Sequence, residues 1–372
     1  MNFLNTLTEK EFLNDFWEKK PYVFRNAIKN PEELIDIDDL EEMAKDEFYE
    51  SRLIKKQAEI WEVKDGPFEK DEYADQSKNW TLINHNLDLY LPEVKEVVNN
   101  LNFLPKWLFD DAMSTYSTTN SSVGAHIDNY NVFILQLSGS RTWKIQLNPK
   151  KGFIPELDVK ILKEFNEDEE FQLNPGDMIY IPPHVAHHGI SNSQSLSLSL
   201  GYKSLEDKKL MEQFCMFQFQ RFDSEDFYKT SFKKPSQSPT LINNDIIEDL
   251  RSRLLDNISD PDVFKKFLLS HTSAPKRPTD PCEFEWDEFI GLFKKNNLFR
   301  DEYARFSCIK NEMNYTYGIN EFIFDVNSDQ AQLLDKISSL SNQDEISFTE
   351  FSSLEGVLYE LANQGIVFFE SE

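Results

Sequence analysis

The sequence predicts an α+β protein in which an antiparallel β sandwich or barrel is flanked by helices. From Trp107 to Gly201 the chain consists of short alternating runs separated by Gly, Pro, Asn and Ser, which is typical of antiparallel β structure. Helical periodicity precedes this region and returns after Lys203. The 372 residues, 13% of them aromatic, are enough for a substantial core divided over two or three units.

The first helix is predicted to begin at Thr8. The segment Thr8–Glu11 has the form of a capping box, and apolar residues follow at helical spacing. Pro21 is expected to end this helix. Two more short helices are predicted over Asp38–Lys45 and over Leu91–Asn99. We expect all three to pack against the β region.

A β hairpin is predicted over Asn131–Leu147, with the turn Ser138–Ser140 between its strands. The residues that share one face of the second strand are Arg141, Trp143, Ile145 and Leu147. This face would hold the guanidinium of Arg141 among apolar neighbours, where it requires an anion. A dicarboxylate could supply that anion bidentately. The alternative is an internal salt bridge to one of the many acidic residues.

The most direct indication of chemistry is the pair His126 and Asp128. Residues two apart in a strand point to the same face, so this imidazole and this carboxylate can meet at one point. One more histidine would complete the facial triad of non-haem Fe(II) oxygenases, which leaves the remaining coordination positions open.

The third ligand is predicted in the loop Pro182–Gly189. A turn and the short apolar strand Met178–Ile181 precede this loop, and the Pro182-Pro183 pair ends the strand and stiffens the chain. His187 is the favoured ligand by pattern. His184 and His188 remain alternatives for the same role.

After Lys203 the sequence predicts helices with a Phe- and Met-rich stripe, continued over Ile246–Leu255. Such a stripe is usually core, but it can also form a dimer interface. Linkers are predicted at Lys233–Pro239 and Ala274–Pro281. In the last segment, helical patterns over Asp329–Leu340 and Phe351–Asn363 are followed by Gly365 and a short strand, Ile366–Phe369. This order of elements suits a winged-helix-like module. Its many acidic residues would repel phosphate, so we interpret it as a protein-contact or structural domain.

The net charge of −27 makes a nucleic-acid surface improbable and favours a basic partner, although ordinary solubility is the simpler explanation. The three cysteines have no paired spacing, which indicates a reducing compartment. The N-terminal residues lack the basic and apolar parts of a secretion signal, and no apolar run approaches the length of a membrane span. We therefore expect a cytoplasmic protein with no membrane partner.

His85 and His271 have no partners by spacing and are interpreted as structural or surface residues.

These residues resemble a known family, the Jumonji-C (JmjC) ribosomal oxygenases. The matching positions are His126–Phe133, Gln136, Gly139, Arg141, Trp143, Pro175–Asp177, Ile181–Pro183 and His187. More narrowly, the chain is similar to the bacterial arginine hydroxylases that act on a large-subunit ribosomal protein. Phe16–Phe24 also resembles the start of that family's catalytic domain. The resemblance covers most of residues 8 to 204 and continues to the C-terminus in domain order only.

The resemblance implies a double-stranded β-helix (jelly-roll, cupin) core and a 2-oxoglutarate-dependent dioxygenase that also consumes O2. By position, His126, Asp128 and His187 would bind Fe(II), and Arg141 would bind the distal carboxylate of 2-oxoglutarate. Ser197 and Ser199 match positions near this co-substrate. The implied reaction is hydroxylation of an arginine β-carbon in a basic ribosomal protein.

Resemblance to the family favours a homodimer, and the sequence pattern predicts a division into three parts. These are a JmjC catalytic domain with N-terminal helices (1–204), a helical linker or dimerisation region (205–273) and the winged-helix-like domain (274–372).

The sequence departs from the family pattern in three places, which affect the fit of the substrate. The loop Thr118–Gly124 is polar where the family tends to be glycine-rich, and Arg141 lacks the further arginines that can flank it. The loop His184–Ala186 lacks a glycine and a second aromatic residue. Two alternatives are a non-catalytic cupin-like scaffold and a hydroxylase of a different residue. Retention of the triad and of Arg141 argues against the scaffold.

Overall fold

The structure, a computed structural model, describes residues 7–58, 60–75, 77–150, 152–155, 160–221, 238 and 240–370. The chain divides into two compact units, Met1–Ser204 and Leu205–Glu372. Each is described by itself. The predicted separation of residues 205–273 from residues 274–372 stays a prediction.

The first unit is built from twelve described strands and four described helices. The strands are β1 (Tyr22–Phe24), β2 (Ser51–Gln57), β3 (Ile60–Asp65), β4 (Trp80–Asn84), β5 (Phe109–Ser117), β6 (His126–Ile127), β7 (Tyr130–Ser138), β8 (Arg141–Gln146), β9 (Glu169–Leu173), β10 (Met178–Ile181), β11 (Ala186–Ser191) and β12 (Ser195–Lys203). The helices are α1 (Glu9–Asp15), α2 (Ile37–Lys45), α3 (Leu87–Tyr90) and α4 (Pro92–Asn100).

These strands form two antiparallel sheets. The eight-stranded sheet has the order β1-β10-β7-β12-β5-β4-β2-β3, and the four-stranded sheet has the order β6-β11-β8-β9. The predicted α+β class is confirmed. The sequence did not predict β2, β3 and β4, which extend the larger sheet upstream of Trp107.

The predicted hairpin over Asn131–Leu147 is wrong. β7 pairs with β10 and β12 in the larger sheet, whereas β8 pairs with β11 and β9 in the smaller one. The turn therefore crosses from one sheet to the other. Gly139 has φ +63°, and a Cβ at this position would lie 2.1 Å from the carbonyl oxygen of Gln194, so the crossing requires glycine.

Alternation along β7 supplies both layers of the core. Val132 and Ile134 face an apolar cluster that includes β8 residues Trp143 and Ile145. Phe133 belongs to the larger cluster, which also contains residues from the N-terminal helices. Because successive strand side chains point to opposite faces, a single strand packs helices on one side and β structure on the other.

The helix predicted at Thr8 is confirmed together with its capping box. The Thr8 hydroxyl accepts from the Glu11 amide at 3.2 Å, and the Glu11 carboxylate accepts from the Thr8 amide at 2.9 Å. The helix ends at Asp15, before the predicted stop at Pro21. Helices α2 and α4 agree with the predicted segments to within one residue.

The second unit contains helices and two small sheets. Its described helices are α5 (Asp207–Phe219), α6 (Asn244–Ile258), α7 (Pro261–Ser273), α8 (Trp286–Phe293), α9 (Ser328–Ser339), α10 (Phe348–Phe351) and α11 (Glu355–Asn363). Its strands are β13 (Leu298–Arg300), β14 (Phe306–Lys310), β15 (Tyr315–Ile319), β16 (Phe322–Val326) and β17 (Val367–Phe369). β13 pairs with β17, and β14, β15 and β16 form a meander that the sequence did not predict.

The two predicted linkers have different outcomes. Lys233–Pro239 lies outside the described residues except for Ser238. The segment Ala274–Pro281 has no helix or strand, but it is held in place, since the Thr279 hydroxyl donates to the Gln364 carbonyl at 2.6 Å. The helix predicted over Phe351–Asn363 is interrupted after Phe351 and resumes as α11.

None of the helices in the described part of the chain is long and apolar enough to cross a bilayer.

Candidate metal and co-substrate site

Strand pairing brings the two halves of the predicted triad together. β6 and β11 are antiparallel neighbours, and His126 lies directly opposite His187 in their register. Asp128 follows β6 immediately, and its backbone carbonyl accepts from the His184 amide at 2.8 Å. The two chain segments, distant in sequence, are therefore joined both by the sheet and by the loop beside it.

The three side chains converge on one point. The Nε2 atoms of His126 and His187 lie 3.7 Å and 3.5 Å from Oδ2 of Asp128. All the potential ligand atoms lie within 4.8 Å of one another. These are the separations expected of groups that can share a single divalent cation.

Backbone carbonyls fix the tautomer of both histidines. The Nδ1 atom of His126 lies 3.0 Å from the Gly124 carbonyl oxygen, and that of His187 lies 3.2 Å from the Val185 carbonyl oxygen. A carbonyl only accepts, so each Nδ1 carries the proton and each Nε2 keeps a lone pair. Burial, aided by the nearby His126, lowers the pKa of His187 to about 4, which keeps this imidazole neutral near pH 7.

The two alternative histidines lie elsewhere. His184 is exposed at the tip of the loop, with φ +67°. His188 points to the opposite side of β11 from His187, and its ring meets Phe165 edge-on at 5.9 Å. Within the described residues, the group that could hold a metal consists of His126, Asp128 and His187.

Arg141 is a buried cation, with 4% of its surface exposed. Its Nη2 donates to the hydroxyls of Ser117 at 2.9 Å and Ser195 at 3.3 Å, and to the Thr115 carbonyl at 3.4 Å. Its Nε has no hydrogen-bond partner, and no ion pair among the described residues includes it. The internal salt bridge considered above is therefore not formed by these residues. Burial lowers the pKa of Arg141 to about 10, so the group stays charged at neutral pH.

The two serines singled out on β12 have different surroundings. Ser199 lines the same cavity as Arg141. The Ser197 hydroxyl is buried and donates to Oε1 of Gln136 at 3.0 Å. Leu147, predicted to share the face of Arg141, lies beyond the end of β8 and is exposed.

One cavity of about 410 Å³ connects the triad with Arg141. Its wall includes apolar residues of both sheets, among them Val132, Ile134 and Trp143, and Ile161 from the loop before β9. Sequence reasoning missed Ser117 and Thr115 on β5, which also line it, and Ser195, which lies behind Arg141. The alternating serines of the Ser195–Leu200 run were a usable signal for Ser195, because alternation sends its hydroxyl to the face shared with Ser197 and Ser199.

His85 also lines this cavity, which the sequence did not indicate. Its Nδ1 lies 2.9 Å from Oδ2 of Asp111, and the Asn86 amide donates to the other oxygen of the same carboxylate at 2.7 Å. Spacing along the chain gave His85 no partner, and the pairing of β4 with β5 supplies one, which agrees with its interpretation as a structural residue. His271 stacks on Phe267 at 5.5 Å, in the second unit.

The residues present fit the groups that the site would hold. Two imidazoles and one carboxylate on one side of a point suit a divalent ion such as Fe(II), with open positions towards the cavity. A buried guanidinium with an unpaired N–H suits a carboxylate at the other end. A small keto acid with a second carboxylate satisfies both ends.

Comparison with known proteins supports this reading of the geometry. Residues 96–210 match the JmjC domain. A ribosomal protein uL16 3-hydroxylase of Escherichia coli is 27% identical over 303 residues, which cover 80% of this chain and 81% of the relative. A probable ribosomal oxygenase of Haemophilus influenzae is 26% identical over 352 residues, covering 89% and 86% of the two chains.

A solved structure agrees along the whole chain. The E. coli ribosomal oxygenase YcfD in complex with cobalt and 2-oxoglutarate superposes with a TM-score of 0.78 at 25% identity, covering 98% of this chain and 99% of that one. The resemblance to JmjC oxygenases is thereby confirmed. Residues 96–210 thus match a JmjC domain, and the chain is similar in fold to a bacterial ribosomal oxygenase.

Proposed function

We propose that the protein is a dioxygenase that depends on Fe(II) and 2-oxoglutarate and hydroxylates a side chain of a ribosomal protein. One observation carries this proposal. A single cavity holds His126, Asp128 and His187 at one end and, at the other, buried Arg141 with no carboxylate partner among the described residues. The solved relative described with cobalt and 2-oxoglutarate supports the same pair of ligands here.

In this proposal His126, Asp128 and His187 hold Fe(II), and Arg141 holds the distal carboxylate of 2-oxoglutarate. With iron, 2-oxoglutarate and O2 bound, the site would supply oxidative decarboxylation of the keto acid to succinate, coupled to hydroxylation of a nearby C–H bond. The protein's own contribution is position, because the C–H bond held nearest is the one that reacts.

The side chains around Arg141 determine how the co-substrate is oriented in the cavity. Ser117 and Ser195 hold Nη2 from one side and leave Nε for the ligand. Apolar walls contributed by Val132 and Ile134 keep bulk water away from the carboxylate, which strengthens its interaction with the guanidinium. Ser199 is the better placed of the two β12 serines to contact the co-substrate, since it lines the cavity.

The proposed substrate is an arginine of a basic ribosomal protein, hydroxylated at its β-carbon. The name of the E. coli relative supports a ribosomal substrate, and the net charge of −27 favours a basic partner over a nucleic acid. Tyr130 lines the cavity, and burial together with the charge of Asp128 raises the pKa of its hydroxyl well above the usual range. We place the substrate guanidinium at the wall formed by Tyr130 and the His85–Asp111 pair.

We further propose a cytoplasmic homodimer. The cysteines are free, as in a reducing compartment. No residue of α6 is buried, although it presents an apolar stripe at helical spacing, made up of Ile247, Leu250, Leu254 and Ile258. Exposed stripes of this kind mark interaction surfaces, and a second copy of the chain is the partner that the family resemblance favours.

Turnover on isolated ribosomal proteins tests the function. The protein is incubated with Fe(II), 2-oxoglutarate and unmodified ribosomal proteins, and both succinate and intact protein masses are measured. We expect succinate release together with a gain of one oxygen atom in one large-subunit protein, located on an arginine by fragmentation. His126→Ala is the inactive control.

The same experiment separates the alternatives. Oxygen gain at another residue type would remove the arginine assignment and keep the enzyme class. Metal binding without succinate release on any ribosomal protein, in a folded preparation, would favour the non-catalytic scaffold.

The homodimer is tested by light scattering after size exclusion. We expect the mass of two chains for the unchanged protein and of one chain for Leu254→Glu, because a charge in the apolar stripe must be buried in the dimer. Ser252→Glu, on the other side of α6, is the matched control and should stay dimeric. A monomer before any substitution would overturn this assignment.

A further inference from the structure

Trp143 occupies the middle of the surface between the two ends of the site. In the register of β8 and β11, three pairs of directly opposite residues form successive rows across the two strands. These rows are Arg141 with Ser191, Trp143 with Gly189, and Ile145 with His187. Side chains two apart in a strand share a face and are about 6.7 Å apart. A molecule that reaches from Arg141 to the triad therefore has to pass the row of Trp143.

The indole N–H of Trp143 is a buried donor without an acceptor. The residue is 5% exposed, and its Nε1 has no hydrogen-bond partner among the described residues. Its packing neighbours in the cluster between the sheets are apolar, among them Val132, Ile134 and Ile145. Buried donors in folded proteins are almost always paired, so this N–H calls for an acceptor from outside the chain. Trp143 lines the cavity through which such an acceptor would come.

Close packing fixes where the indole lies. A Cβ added at Gly189 would come within 2.7 to 2.9 Å of the six-membered ring of Trp143, so the ring rests directly on the backbone of β11. Its centroid is 5.8 Å from that of the His187 ring. The donor is therefore held in place before any ligand arrives, and ligand binding need not reorder it.

We propose that Trp143 is a co-substrate-binding residue whose indole N–H donates to a carboxylate oxygen of the dicarboxylate held by Arg141. This inference rests on the proposed function. The unpaired Nε of Arg141 and the unpaired Nε1 of Trp143 are two buried donors on one face of β8. We infer that both donors bind the same ligand. A dicarboxylate has enough acceptor oxygens for both donors and for the metal.

The direct test observes the N–H itself. The protein, labelled with ¹⁵N and loaded with Zn²⁺ as a redox-inert diamagnetic ion, gives indole signals for its six tryptophans, and Trp143→Phe identifies the signal of Trp143. We expect saturating 2-oxoglutarate, and also succinate, to shift this proton downfield. Trp80 is the internal control, because its Nε1 already donates to the Asp75 carbonyl at 3.2 Å and its signal should stay in place.

Affinity provides the second measurement. Trp143→Phe keeps an aromatic ring on this face of β8 and removes the donor together with the outer part of the ring that packs on Gly189. We expect 2-oxoglutarate to bind about tenfold more weakly while Zn²⁺ binding is unchanged. Trp80→Phe should leave both affinities unchanged.

The outcomes are distinguishable. If 2-oxoglutarate binds, as calorimetry measures it, while the Trp143 signal is unmoved, this inference is wrong and the proposed function is unaffected. If neither 2-oxoglutarate nor succinate binds the metal-loaded protein, the proposed function itself fails. A shift caused by 2-oxoglutarate but not by succinate would assign the acceptor to the keto oxygen and overturn the carboxylate assignment.

Discussion

The two ends of the cavity are organised in opposite ways. At the triad end, His126 and Asp128 are partly exposed, at 25% and 17% of their side-chain surface. The Nδ1 atoms of both histidines are held by backbone carbonyls. At the other end, Arg141 is a charged group that is 4% exposed and held by hydroxyls. Two of the three triad side chains are thus partly exposed while His187 is buried at 2%, whereas the arginine end is a single buried cation on the wall of the same cavity.

This difference has an energetic consequence. The two imidazoles cost little free energy before a metal binds, because their Nδ1 atoms are already hydrogen-bonded. A buried guanidinium without a counter-ion costs several kcal/mol of desolvation, which only an anion can offset. An anion bound to Arg141 should therefore stabilise the fold. Substitutions at one end of the cavity should change the binding of one ligand and leave the binding of the other unchanged.

Asp128→Ala should have the largest effect. It removes the carboxylate of the proposed metal triad, so we expect turnover to fall by about 1000-fold or more, since a catalytic metal supplies several kcal/mol of stabilisation. Succinate release and Co(II) affinity are the measurements. Thermal stabilisation by high succinate should persist, because Arg141 is untouched. Unchanged Co(II) affinity would show that Asp128 is not a ligand.

Arg141→Met should weaken co-substrate binding and leave metal binding intact. We expect 2-oxoglutarate to bind at least about 100-fold more weakly, since truncation of one partner of a buried charge pair costs about 2–5 kcal/mol. Co(II) binding should be retained. The melting temperature of the ligand-free protein should not fall, because the substitution removes an uncompensated buried charge. A large drop would mean that the guanidinium is already satisfied inside the protein.

The sequence predicted those features of the fold and site that depend on local rules. The capping box at Thr8 and the common face of His126 and Asp128 both follow from fixed spacings along the chain. The turn at Gly139 was misinterpreted, because a short Ser-Gly-Ser turn usually joins neighbours in one sheet. Here the approach of the Gln194 carbonyl, far along the chain, decides where the strand goes.

The surroundings of Arg141 could not be predicted in the same way. Ser117 and Ser195 come from β5 and β12, whose pairing is decided by the packing of the whole larger sheet. No period in the sequence links either serine to β8. The His85–Asp111 contact was missed for the same reason, because it depends on the pairing of β4 with β5.

Ser117→Ala should have a moderate effect confined to the arginine end. The loss of the hydroxyl that holds Nη2 at 2.9 Å frees the guanidinium to reorient, and we expect about tenfold weaker 2-oxoglutarate binding from the loss of one hydrogen bond to a charged group. Calorimetry on metal-loaded protein measures this. Ser114→Ala is the matched control, since Ser114 lies on the same strand and its buried hydroxyl has no hydrogen-bond partner in the described part of the chain. Equal effects of the two substitutions would contradict the role of Ser117.

His188→Gln should have the smallest effect, although His188 is adjacent to a proposed ligand. Strand alternation sends its ring to the other side of β11, against Phe165, so turnover and Co(II) affinity should stay within about twofold of the unchanged protein. His184→Gln should behave likewise, since that side chain is exposed on the loop. His187→Gln, measured beside them, should lose metal affinity as Asp128→Ala does. If His188→Gln instead abolished Co(II) binding, the face assignment of β11 would be wrong, and with it the argument that one strand pairing brings the metal group together.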